Sequence, residues 1–268
     1  MKKALSLLFI LFAFAMANAQ SLPKVQQGGI KLPANVKIDG KTDEWNNKFM
    51  AYNPATELFY TIANDDKRLY LIIQANDPNL EGTVNRILAS GITLTLFNKN
   101  QKNNKGITIT YPATDVIGTA LYSFKGADGK LIKITDSLVQ ARNLDLQKKF
   151  KFIKLSGIKN LTTIPVYNDE GIEAAHRFDI KNNYTLELSI PLAVAGSQVN
   201  AANALAYKIT VNGSKAAMFE MQKAESAGTS SNPQNTSKVP ESIMKQLYQM
   251  NATYTGQTNF SGEYTLVK

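Results

Sequence analysis

Few side chains in this sequence belong to the reactive kinds. There is one histidine, His176 in "GIEAAHRFD", and there is no cysteine. Without thiols there is no disulfide, no thiolate zinc or iron–sulfur site, and no lipobox cysteine to carry a lipid. A histidine-based triad would have to be built on His176 alone. Glu173 and Glu187 are carboxylates of the kind a glycosidase pairs, but neither stands in a motif that selects it over a turn or surface acid. The chain has no G-x-S-x-G elbow, no H-E-x-x-H and no glycine-rich phosphate loop after a strand pattern. The expectation is a protein that binds and does not catalyse.

Oxygen ligands are better supplied. "NDD" at 64–66, "NDP" at 76–78 and "NDE" at 168–170 offer carboxylates and amides from loops, as calcium requires. None has the spacing of an EF-hand loop, and Asn and Asp favour turns by bonding nearby backbone amides. Turn formation is the expected role, with calcium as the alternative. The lone tryptophan, Trp45, stands in "VKIDGKTDEWNNKF", where Asp39, Gly40 and Asp43 have turn chemistry. Ile38 and Phe49 flank it at spacings that suit a packing post, so Trp45 is expected to be buried and not to stack on a ligand.

The elements that must position these residues are strands. "RLYLIIQAN" puts Leu69, Leu71, Ile73 and Ala75 on one face and Tyr70, Ile72, Gln74 and Asn76 on the other. "GITLTLF" alternates Ile92, Leu94 and Leu96 with Thr93, Thr95 and Phe97, and "GITITY" alternates Ile107, Ile109 and Tyr111 with Thr108 and Thr110. "YTLELSI" turns Leu186 and Leu188 inward and Thr185, Glu187 and Ser189 outward. "AYKITVNG" and "GEYTLVK" repeat the pattern. Period-two alternation bounded by Gly, Asn, Asp and Pro marks half-buried strands, and many of them imply a sandwich or barrel. Three segments differ: a helical turn at 83–89, a helix at 136–150 with Asp136 as its N-cap, and a short helix at 240–250.

The N-terminus reads MKKALSLLFILFAFAMANAQ: a basic start, an apolar run and a small-x-small site at Ala17-Asn18-Ala19. This is the pattern of a cleaved export signal over 1–19, with residues 20–35 as a lead-in and a single domain over 36–268. The chain is therefore expected in the periplasm or outside the cell, as neither a lipoprotein nor a membrane-spanning protein. A net charge of +9 is scattered over the lysines, so no nucleic-acid stripe forms.

"IDGKTDEW", "LYLIIQANDP", "YTLELSIPL", "AYKITVNG" and the closing "FSGEYTLVK", in that order, resemble the family 9 carbohydrate-binding modules and the related DOMON-type domains. The resemblance implies an all-β, two-sheet antiparallel β-sandwich with a few short helices and an insertion around 115–169. Family 9 modules clamp a sugar between two tryptophans. Here "RILASG" supplies no aromatic at the first position, and Tyr248, Tyr254 or Phe260 are the substitutes near the second. The family's carboxylate falls near Thr95, and its arginine and asparagine near Thr108 and Thr110. The expected ligand face is therefore Thr93, Thr95, Thr108, Thr110 and Tyr111, taking a carbohydrate or another polar ligand. DOMON relatives that hold haem between a histidine and a methionine supply the alternative, with His176 paired to Met50, Met218 or Met221. Otherwise no cofactor is expected, and a partner protein is the remaining class of ligand.

Overall fold

Alternating segments become strands because each can bury its apolar face only against another sheet. The computed structural model describes residues 21–76, 82–101, 105–113, 132–213 and 256–268. In chain order the elements are β1 (Ala51–Asn53), β2 (Leu58–Asn64), β3 (Arg68–Asn76), α1 (Thr83–Ser90), β4 (Ile92–Phe97), β5 (Ile107–Ala113), α2 (Asp136–Lys149), β6 (Phe152–Ser156), β7 (Thr163–Pro165), β8 (Glu173–Phe178), β9 (Asn183–Pro191), α3 (Leu192–Ala195), β10 (Ala204–Val211) and β11 (Thr258–Thr265). One sheet runs β1-β2-β3-β9-β8, the other β11-β10-β4-β5-β6-β7. The strand pairs are antiparallel. The fold is the two-sheet all-β sandwich that the alternation and the resemblance lead one to expect.

Between the sheets lies one large core, with Leu58, Ile62, Leu71, Leu186 and Leu188 facing Leu94, Ile109, Leu155 and Ile209. Several polar side chains inside it pair with one another or with the backbone, as unpaired ones are costly to bury. The Tyr60 and Tyr207 hydroxyls lie 2.9 Å apart, and Tyr60 also accepts the Gln26 amide at 2.8 Å. The Gln26 side chain bonds both the amide and the carbonyl of Ile62 at 2.8 Å, acting as one extra rung of strand.

The five-stranded sheet is covered on its outer face too. Ala63, Tyr70 and Ile72 point away from the main core and would be wet if nothing lay over them. Trp45 covers them, helped by Ile30, Leu32, Val36, Ile38 and Phe49. At 4 % exposed, Trp45 is the packing post that its setting in "IDGKTDEW" suggested.

Two of the three expected helices fall within the described residues. The turn at 83–89 is a two-turn helix, α1. The helix at 136–150 forms as α2, but Asp136 is not its cap: the Thr135 side chain accepts the Leu138 amide at 3.2 Å, and Asp136 lies in the first turn. Threonine takes the cap because its short hydroxyl reaches the orphan amide. Asn143 of α2 covers the open edge of β8, accepting from the Phe178 amide at 2.8 Å and donating to its carbonyl at 2.9 Å. The segment 240–250 lies outside the described residues.

Candidate functional site

Strand register lines up a polar and aromatic row on the outer face of the five-stranded sheet. Tyr52 lies opposite Phe59, Phe59 opposite Gln74, Gln74 opposite Thr185, and Thr185 opposite Arg177. One residue from each strand therefore points the same way. The Tyr52 and Phe59 rings have centroids 4.6 Å apart, and Phe49 packs on Phe59 at 5.9 Å. All three rings are only half-buried. Gln74 donates to the Thr185 hydroxyl at 3.1 Å.

The covering segment stops short of the far end of this row and leaves a cleft of about 720 Å³ over Gln74, Thr185 and Arg177; Tyr52 and Phe59 lie outside it. Gln74, Thr185, Arg177 and Phe49 form its floor. The turn at 40–43 makes one wall, and the β8–β9 hairpin with the start of α2 makes the other. Asp179 shapes the hairpin by accepting the Lys181 and Asn183 amides, each at 2.8 Å.

A buried carboxylate fixes the turn at 40–43. Glu187 is 0 % exposed. One of its oxygens accepts the Trp45 indole N–H at 2.7 Å; the other accepts the amides of Gly40 at 2.7 Å and Asp39 at 2.9 Å. Burial pushes its pKa up to about 7, against the pull of those three donors. Gly40 has φ +80°, and a Cβ there would lie 2.8 Å from the His176 carbonyl carbon, so only glycine allows the turn to sit this close to β8. The expectation that Glu187 points outward holds for its direction, but the Trp45 segment removes it from solvent and from any catalytic pair. Glu173 pairs instead with Arg68 at 3.4 Å.

Arg177 contrasts with Glu187. Half-buried on the cleft floor, it makes neither a hydrogen bond nor an ion pair among the described residues. Its charge opposes that of neighbouring Lys41, whose ammonium is held by Asp39 at 2.7 Å. Reading the sequence around His176 passes over Arg177. The signal is the alternation in "EAAHRF", which places His176 inward and Arg177 outward beside it.

The expected threonine face forms in part. Thr93, Thr95, Thr108 and Thr110 point outward from the six-stranded sheet as cross-strand pairs, each half-buried. The hydroxyls of Thr93 and Thr110 bond each other at 2.7 Å, and Asn212 donates to Thr93 at 3.0 Å. Tyr111 does not belong to that face. It is 3 % exposed, opposite Ile92, because the strict two-residue period puts it inward with Ile107 and Ile109. Phe260 is 8 % exposed and packs on Tyr60 at 4.8 Å, so it cannot stack on a ligand. Tyr248 and Tyr254 lie outside the described residues.

His176 is a buried strand histidine. Its Nδ1 shares a hydrogen bond with the Tyr184 hydroxyl at 2.6 Å, and the rings of Tyr111, Phe150 and Tyr184 surround it at 5.0, 5.2 and 5.7 Å. Burial lowers its pKa to about 3, so the ring is neutral, although the Leu146 carbonyl favours its protonation. A haem ligated here would need Met50 close by. Met50 precedes β1, at the opposite edge of the sheet from β8. Four strand spacings, about 19 Å, separate those edges. His176 and Met50 therefore do not fit a haem, and Met218 and Met221 lie outside the described residues.

The acid clusters at 64–66 and 168–170 act in turns, and Asp77 and Pro78 of the cluster at 76–78 lie outside the described residues. Asp65 accepts the Lys67 and Arg68 amides at 2.8 and 2.7 Å and the Tyr70 hydroxyl at 3.0 Å. Partial burial opposes its ionisation, but these donors hold its carboxyl below the usual range. Asn168 donates to the Ile172 carbonyl at 2.7 Å. Among the described residues no three His, Asp or Glu side chains converge to hold a metal ion.

No family model matches this chain, and no curated protein matches it. Among solved structures it is similar to a family 9 carbohydrate-binding module from Caldicellulosiruptor kristjanssonii in complex with glucose. Identity is 12 %, the match covers 90 % of this chain and 96 % of that chain, and the TM-score is 0.34. A likeness of that degree assigns neither residue nor ligand to this chain.

Proposed function

We propose that this is an exported, non-catalytic binding protein that takes a carbohydrate into the cleft over Gln74, Thr185 and Arg177. The cross-strand row Gln74–Thr185–Arg177, with Phe49 beside it in the cleft, carries the reading. It sets an amide, a hydroxyl and a guanidinium side by side on a rigid sheet, with one aromatic ring, Phe49, next to them. A sugar ring offers an apolar C–H face and a rim of hydroxyls, and that row offers a partner for each. Sheet-borne side chains hold their positions better than loop-borne ones, which suits recognition of a rigid ring. The chemistry-capable groups nearby are already committed: Glu187 to the turn and His176 to the core.

Glycan-array screening of the mature chain, followed by calorimetry on the hits, tests the reading. Binding is expected to weaken on Phe49→Ala and Gln74→Ala and to persist on the paired change Thr95→Val, Thr108→Val. Absence of binding to any saccharide would overturn it. Binding that the threonine changes abolish would move the site to the other sheet.

A further inference from the structure

Resting on the cleft as a carbohydrate site, the unpartnered guanidinium on its floor identifies the kind of sugar. Of the neighbouring carboxylates, Glu44 stands near Lys41 with a buried Oε2 that has no hydrogen-bond partner among the described residues; the others are committed elsewhere or are exposed in the cleft lining. Glu187 lies one register step away on β9, diagonal to Arg177 and close enough for a long side chain to reach. Both its oxygens nevertheless face the Trp45 turn. Asp39 holds Lys41, and Glu173 pairs with Arg68. Asp179 spends its oxygens on the Lys181 and Asn183 amides and the Asn183 side chain, each at 2.8 Å. Asp43 and Asp136 line the cleft as exposed residues.

A half-buried arginine normally has an acceptor, because its planar fork of donors loses water and must replace it. Arg177 has none among the described residues, and the nearby Lys41 is paired with Asp39 at 2.7 Å. The floor therefore presents one guanidinium without an acceptor next to the amide of Gln74 and the hydroxyl of Thr185.

We propose that the cleft selects acidic saccharides, with a carboxylate or sulfate of one sugar unit seated on Arg177 and the hydroxyls of that unit on Gln74 and Thr185. Asp43 and Asp136 at the mouth accept hydroxyl protons from neighbouring units, so the ligand carries its acid at one place among neutral hydroxyls. Oxyanions meet arginine through two parallel N–H bonds, a geometry that lysine does not reproduce.

Calorimetric titration of the mature chain with trigalacturonate, its methyl ester and a sulfated galactan trisaccharide tests this. The ester keeps shape and hydroxyls and removes the charge. An acid-over-ester preference of about tenfold or more is expected in the wild type. That preference is expected to vanish in Arg177→Gln and to fall in Arg177→Lys, which keeps the net charge. Tighter binding of the sulfated probe than of the uronate would assign the anion as sulfate, and the reverse as carboxylate. Equal binding of acid and ester, or a preference that survives in Arg177→Gln, would overturn the selectivity while leaving the carbohydrate site standing. Binding of neutral glucans alone would do the same. Failure of all saccharides, neutral and acidic, would remove the site itself.

Discussion

Glu187 and Arg177 lie on the same face of adjacent strands, diagonal to one another, and they have opposite fates. Glu187 is wholly buried and takes three N–H donors from a segment that begins 148 residues earlier. Arg177 sits at the uncovered end of the same face with no partner among the described residues. A buried charge surrounded by donors of its own chain is a structural clasp. A charge left unmatched by the described residues beside a cleft is available to a ligand. The difference separates residues that hold this fold from those placed to meet a ligand.

The largest effect should come from breaking the clasp. Glu187→Ala strands the Trp45, Gly40 and Asp39 donors and should cost about 3–5 kcal/mol in urea unfolding. Trp45→Ala should cost about as much, and the double variant should cost less than the sum, since each change disables the same contact. Additive losses would show that the two act separately.

Next in size is Gly40→Ala, where positive φ and a Cβ 2.8 Å from the β8 backbone combine; a loss of about 2–3 kcal/mol is expected by thermal denaturation. A neutral result would mean that the turn does not press on β8 as described.

The pH dependence is smaller per unit and more diagnostic. Glu187 has its pKa raised from 4.5 to about 7. Its contribution is therefore full below about pH 4.5 and is lost as pH rises toward 7. His176 has its pKa lowered from 6.5 to about 3. Its contribution is full above about pH 6.5 and is lost as pH falls toward 3. Between 4.5 and 6.5 the slopes oppose, each about 1.4 kcal/mol per pH unit, so these two groups leave the wild type nearly flat. Glu187→Gln should make stability rise with pH across that window, and His176→Phe should make it fall. If both variants keep the wild-type profile, neither group titrates as its burial requires.

The smallest effect on the fold belongs to Arg177→Gln. With no side-chain bond to lose among the described residues, it should shift stability by no more than about 0.5 kcal/mol. A loss of several kcal/mol would mark Arg177 as part of the scaffold and end the contrast with Glu187.

Most of the scaffold could be read from the residues. "GITLTLF" and "GITITY" announce their inner faces by strict alternation, and Trp45 among turn residues announces a packing post. Burial of the second face of β3 was less visible, because Tyr70 and Ile72 look like exposed positions until the segment at 30–49 folds over them. The role of Glu187 was hidden for the same reason: its partners lie 142 to 148 residues away in the chain. The cleft was hidden more deeply. It needs the register of three strands to bring Gln74, Thr185 and Arg177 into one row, and no local pattern encodes register between distant strands. The threonine face was expected from strand alternation and from the position of the ligand in the resembling family, yet two of its four hydroxyls bond each other.

Location of the ligand is the most direct test, and side-chain amide and guanidinium NMR reads it. On titration with a saccharide that the glycan array selects, the Gln74 and Asn183 side-chain amides and the Arg177 Nε–H should shift together and saturate with one dissociation constant. Shifts confined to the backbone amides of Thr93, Thr95, Thr108 and Thr110, with Gln74 and Arg177 unmoved, would contradict the assignment and place the ligand on the opposite sheet.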